Sequence, residues 1–204
     1  WIIEDKFAGA RPPWERVGTT IVDDVVPFEL RKLRLLNGAH SLLAYVGLLT
    51  GYKHVHEAIT DQGLRAIAQG LMNEATDTLP DTIKSQAPAY CDALFERFAN
   101  PSLNHELAQI AMDGSVKLPV RILPVLESHD ANLPSSFAAK AVAYWLTYIL
   151  KQLEGDQTIV DPNELVFRRL KKSEPNRREL AQQLLAVLGP LSQIEMILDY
   201  ALDL

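Results

Sequence analysis

A mainly α-helical domain is predicted by three observations. Apolar residues recur at helical spacing along most of the chain, the segments carrying them are bounded by Pro, Gly, Asn or Asp, and no regular series of strands appears. The 204 residues suffice for one sizeable core, and 48% hydrophobic with 23% charged residues is ordinary for a globular protein.

Residues 1–26 read as an irregular lead-in, with Pro12 and Pro13 stopping any early helix. Within it, Thr19, Thr20, Ile21, Val22, Val25 and Val26 are β-branched and suit a short strand. Pro27 then fits the first turn of a helix whose apolar run continues to Gly51, a suitable C-terminal stop. Further helices are predicted near 54–75, 87–99, 103–112, 119–128, 134–153, 161–172, 175–188 and 190–203, with Gly155, Asp156 and Gln157 as a loop. No strand leads into a glycine-rich turn, so a dinucleotide-binding fold is not predicted within these residues. The chain opens on Trp1, Ile2, Ile3, Glu4 and Asp5 without a methionine, and is expected to be part of a longer polypeptide.

Charge and composition narrow the classes of function. A formal net charge of -6 argues against a general nucleic-acid binder. Cys91 is the single cysteine, which excludes an intramolecular disulfide and predicts a reducing, cytoplasmic location. No apolar run reaches the roughly 18 residues of a membrane span, and no basic-then-apolar leader is present.

The stretch from Pro27 to Ser41 carries the chemistry. At about 100° per residue, Glu29, Lys32, Leu36 and His40 fall within a sector of about 80°, with Asn37 roughly 60° further round. Leucines and valines cover the rest, so this helix is predicted to be buried on several sides. Burial favours a neutral lysine amine, which would make Lys32 a proton-transfer group near neutral pH. Asn37 and His40 would donate hydrogen bonds to a carbonyl oxygen gaining negative charge. The plainer reading has Lys32 snorkelling outward and His40 satisfied within the core; spacing alone weighs the two about equally.

The order Lys32, Asn37, His40 within Lys-Leu-Arg-Leu-Leu-Asn-Gly-Ala-His-Ser resembles the catalytic signature of the mannitol dehydrogenase / fructuronate reductase family of long-chain polyol dehydrogenases. Trp1 to Asp5 with Phe7, Gly9 with Arg11 and Pro12, and Pro27, Phe28 and Glu29 resemble that family's lead-in; Tyr45, Gly47, Gly51 and Tyr52 follow as expected. A second block, from Asn100 to Leu103 and from Ile110 to Pro119, also matches, while the likeness thins after about residue 155. The resemblance implies that residues 1–204 form a multi-helix, substrate-side C-terminal domain, lacking the N-terminal Rossmann domain that would bind NAD or NADP. It implies Lys32 as general acid/base, Asn37 polarising the carbonyl, His40 orienting substrate and Glu29 relaying the proton. Lys117 would contact the far end of the polyol or its carboxylate; the plain alternative is a solvated lysine after a turn and N-cap at Asp113, Gly114 and Ser115. The implied partners are a small sugar acid or polyol and the chain's own Rossmann domain, and no metal is required. Mannitol-type members tend to be basic near the position of Gln109, so Gln109 to Met112, with Gly51 to His54, resembles the fructuronate reductase (mannonate oxidoreductase) branch more closely.

Other features are discounted. His54, His56 and Glu57 crowd one helix start and offer poor convergence for a metal. Arg168, Arg169, Lys171, Lys172, Arg177 and Arg178 read as a solvated face. Trp145, Tyr148 and Ile149 read as core, and Cys91 has no sign of a nucleophile's partner. A catalytically silent helical interaction module is the competing class, favoured if Lys32 is mobile and exposed to water.

Overall fold

The computed structural model describes residues 1–128, 136–174 and 176–204. Thirteen α-helices are found among them, with a single two-stranded sheet. That sheet is parallel, pairing β1 (Ile2–Glu4) with β2 (Thr20–Val22) in the register Ile3 opposite Ile21. The strand predicted within 18–26 is therefore present, but the lead-in is not irregular throughout, because Ile2 to Glu4 supply its partner.

The helix predicted from Pro27 to Gly51 forms as one rod of three parts. α1 (Val26–Arg31) runs into a π-helical turn (Lys32–Asn37), which runs into α2 (Gly38–Leu49). Gly51 follows with a φ of 92°, the left-handed conformation that ends a helix without penalty for glycine. From Gly38 to Gly47 every residue of α2 except His40 is buried. A helix hydrophobic on all sides belongs at the centre of a bundle, and α2 packs against α3 (Val55–Thr60), α4 (Gln62–Asp77), α7 (Leu107–Ala111) and α10 (Phe137–Glu154).

The predicted helix over 54–75 is two. Asp61 is extended, and its carboxylate accepts from the backbone N–H groups of Gly63 at 2.8 Å and Leu64 at 3.1 Å, capping α4 just after α3 ends. A short α5 (Asp81–Lys84) precedes α6 (Ala87–Phe98). Glu74 of α4 reaches across to accept from the N–H groups of Phe137 and Ala138, at 2.7 and 2.9 Å, so an acidic side chain sits at the positive end of α10.

The helix predicted from 119 begins earlier, as α8 (Gly114–Arg121), with Pro119 inside it, and α9 (Leu123–Ser128) follows. α11 (Glu164–Ser173), α12 (Arg177–Ala186) and α13 (Ile194–Leu202) complete the chain, and α13 packs along α10. The first residues of the helix predicted over 134–153, and Pro175 at the start of that over 175–188, lie outside the described residues. Trp145 and Ile149 are buried as predicted, and the Tyr148 ring lies 5.6 Å from that of Tyr45. No helix among the described residues is long and apolar enough to cross a membrane.

Candidate active site

The π-turn decides which residues share a face. Lys32 and Asn37 are five positions apart, which an α-helix would separate by roughly 140°. In a π-helix the hydrogen bond spans five residues and the turn is wider, so residues that far apart come closer to one side. The bond from the Gly38 N–H to the Leu33 carbonyl shows that spacing here. α8 and the residue after it pass close to Gly38, where a Cβ would meet Ile122 at 3.5 Å and the Arg121 carbonyl at 3.6 Å, ordinary contact distances.

Lys32 and Glu29 line one cleft of about 380 Å³ together with Trp1, Ile2, Val25, Phe28, Arg31 and Tyr90. Both side chains are exposed. This corrects the prediction that Lys32 is buried: the fully buried run starts only at Leu35, leaving Lys32 on the rim one turn before the core begins. Asn37 is half-buried below them.

His40 lies further along and is not part of that lining. Its ring rests on Phe98 at 4.5 Å between centroids and meets His105 edge-on at 6.0 Å. Burial, helped by His105, Arg97 and Arg121, pushes its pKa down to about 4. Its Nε2 is enclosed with no hydrogen-bond partner among the described residues, so His40 is not the satisfied core histidine of the plainer reading. Arg121 donates from Nη1 to the Ser41 Oγ at 3.1 Å, and its own pKa is lowered by burial.

The second block is a structural joint. A Cβ on Gly114 would lie 2.4 Å from the Trp145 Nε1 and 2.5 Å from the Tyr45 hydroxyl, so only glycine fits. Ser115 donates through both N–H and Oγ to the Asp161 carboxylate, and Asn163 donates to the Ser115 Oγ at 2.9 Å. Asp113 stands at the start of α8 in the left-handed region, with no capping side-chain bond. The Lys117 ammonium donates to the Met112 carbonyl at 2.6 Å, with Asp113 Oδ2 at 3.6 Å. Lys117 is thus neither solvated, as the plain alternative had it, nor in the cleft of Lys32; it is engaged with the loop it follows.

His105, Phe98, Arg121 and Arg31 escaped the sequence reading. Only Arg31 carried a signal, its adjacency to Lys32; the others approach from elements far away along the chain. Among the discounted features, Cys91 is buried and its thiol pushed up to about 11 by that burial. Arg168 pairs with Asp156 and Glu164, Arg177 with Glu154, and Arg178 with Glu195 and Asp199. The ligand atoms of His54, His56 and Glu57 lie within 4.8 Å of one another. Glu57, however, already accepts from the N–H groups of Lys53 and His54 at the start of α3.

Residues 24–197 match the mannitol dehydrogenase C-terminal domain. The chain is 44% identical to the D-mannonate oxidoreductase of Escherichia coli over 174 residues, covering 83% of this chain and 36% of that protein. It is 35% identical to the mannitol 2-dehydrogenase of Phaeosphaeria nodorum, covering 96% of this chain and 33% of the relative. Its backbone superposes on the Pseudomonas fluorescens mannitol 2-dehydrogenase, solved as a ternary complex with NAD and D-mannitol, with a TM-score of 0.78 and 30% identity. That match covers 98% of this chain and 42% of the other, so the chain spans well under half the length of these relatives. The chain belongs to the mannitol dehydrogenase family of oxidoreductases acting on polyols and sugar acids, and is a mainly helical C-terminal domain of that family.

Proposed function

We propose that this chain is the substrate-binding and catalytic half of an NAD(P)-dependent secondary-alcohol dehydrogenase, interconverting a sugar acid or polyol with its keto form. D-mannonate and D-fructuronate are the preferred pair, and mannitol or another polyol is the alternative. Residues 1–204 act as one C-terminal domain, with 1–26 leading in from a cofactor-binding Rossmann domain. The observation carrying this reading is the π-turn, whose wider spacing narrows the angle between Asn37 and Lys32, with Lys32 and Glu29 on an open cleft.

In oxidation, Lys32 takes the proton of the substrate hydroxyl as the carbon gives up its hydride. Asn37 donates a hydrogen bond to the oxygen as it becomes a carbonyl, and His40 helps to orient the substrate. Glu29, one turn before Lys32, passes the proton to water. A nicotinamide, when bound, supplies the hydride acceptor. Trp1, Ile2, Val25 and Phe28 give the cleft apolar walls that suit its flat ring. The family resemblance puts Lys117 at the far end of the substrate; its ammonium here donates to the Met112 carbonyl of the loop before it.

A second reading, a silent helical interaction module, takes its support from the exposure of Lys32. One comparison separates the two: turnover of D-mannonate and D-mannitol by the full polypeptide, with and without Lys32→Ala. Activity that collapses in the variant supports the dehydrogenase; activity on neither substrate, or a fully active variant, contradicts it.

A further inference from the structure

Arg31 shares the cleft with Lys32 and is held more firmly than a surface arginine. Its guanidinium lies 4.4 Å from the Tyr90 ring centroid and 5.3 Å from that of Phe28. Its Nη1 donates to the Gln86 Oε1 at 3.0 Å. Tyr90 and Gln86 come from α6 and its N-cap, Phe28 from α1, so two separate parts of the fold fix one planar cation. Stacking of this kind leaves the positive charge uncancelled while removing most of the side chain's freedom.

No carboxylate pairs with Arg31 among the described residues, whereas Arg11, Arg168, Arg177 and Arg178 each have one. Gln86 is its one hydrogen-bond acceptor among them, and its Nε is enclosed without a partner. Lys117, the cation that the family resemblance assigns to the far end of the substrate, has its ammonium on the Met112 carbonyl instead. The cleft of about 380 Å³ falls in the range of small-molecule sites.

We propose that Arg31 is the carboxylate anchor of the substrate cleft: it receives the acid group of a sugar acid while Lys32 faces the reacting hydroxyl. This rests on the dehydrogenase reading and names its substrate class. A guanidinium–carboxylate contact is charge-assisted and directional; a neutral polyol has no group to exploit it. Arg31 would then make the cleft select acids over polyols without taking part in proton transfer.

The test uses the full polypeptide, assayed for oxidation of D-mannonate and D-mannitol as wild type, Arg31→Gln and Arg31→Lys. Arg31→Gln should lower kcat/KM for D-mannonate at least about tenfold, mainly through KM, in keeping with loss of one charged hydrogen bond. The ratio of KM for D-mannonate to KM for D-mannitol should rise at least about fivefold, and Arg31→Lys should fall between. Equal losses on both substrates, a raised coenzyme KM, or an unchanged KM for D-mannonate would overturn the assignment. So would a wild type that oxidises D-mannitol alone, which leaves the dehydrogenase reading intact; turnover of neither substrate sinks both. Should Arg31→Gln fail to fold, salt titration of the wild type decides. A KM for D-mannonate that climbs with ionic strength beside a flat KM for D-mannitol supports the anchor, and two flat lines contradict it.

Discussion

Gly114 is where a single hydrogen atom in place of a methyl group matters most. Its α-carbon faces the indole of Trp145 and the hydroxyl of Tyr45, both fully buried, and the Tyr45 hydroxyl already donates to the Ala111 carbonyl at 3.2 Å. Neither large ring can retreat within a packed core, so Gly114→Ala should lose about 1–3 kcal/mol of stability, read as a lower urea midpoint. An unchanged midpoint would mean that the α8–α10 contact is looser than described. His40 adds a pH dependence. Its pKa falls from the ordinary 6.5 to about 4 in the folded chain, so the unfolded chain binds the extra proton between those values. Its contribution is complete above pH 6.5 and is lost as pH falls towards 4, by about 3 kcal/mol at most. His40→Leu should flatten the urea midpoint against pH in that window; an equally steep slope would assign the effect to another group. Lys32 stands out as a candidate in the sequence through the likeness of its block to the family signature, since spacing alone leaves it level with an ordinary outward-facing lysine. Its exposure is not legible there, since that depends on where the core begins.

At the scale of elements, the rod from Val26 to Leu49 was legible at both ends, through Pro27 and Gly51. Its interior was not. Residues 32–37 are good helix formers in either hydrogen-bond spacing, and packing against α8 and α4, remote in sequence, accompanies the wider turn. The break at Asp61 was missed for a related reason: an aspartate followed by Gln62 and Gly63 suits a helix surface as well as a cap, and only the bonds to Gly63 and Leu64 decide. The pairing of Ile2 to Glu4 with Thr20 to Val22 depends on two short segments meeting across an intervening loop, which no local pattern announces. The π-turn invites a direct test. Deleting Leu36 would let the stretch revert to α-helical spacing and swing Asn37 away from Lys32. Far-UV circular dichroism should stay near wild type while kcat in the full polypeptide falls at least about a hundredfold; retained activity would show that the wider turn has no part in assembling the site.

At the scale of the molecule, α2 and α10 form one core on which both motif blocks are mounted: the first on the rod itself, the second through Gly114 against Tyr45 and Trp145. The family was legible because those two blocks occur in order, and the matching domain, residues 24–197, spans both. What could not be read was the division of labour within them, because a structural joint and a substrate contact can share the same conserved-looking wording. The cleft that holds Lys32 is open, and Trp1 at its edge is 91% exposed. The isolated chain should therefore fold cooperatively, with one thermal transition, yet show no coenzyme-linked oxidation of D-mannonate or D-mannitol. Turnover by the isolated chain would show that these residues alone hold the nicotinamide.

The central claim is that Lys32 moves the proton, and chemical rescue addresses it most directly. In the full polypeptide, Lys32→Ala should lower kcat by about 10²–10⁴-fold, and small primary amines added to the assay should restore part of it in proportion to their concentration and basicity. A variant that keeps wild-type kcat, or one whose lost activity no amine of any size recovers while substrate still binds, would contradict the assignment of Lys32 as the acid/base.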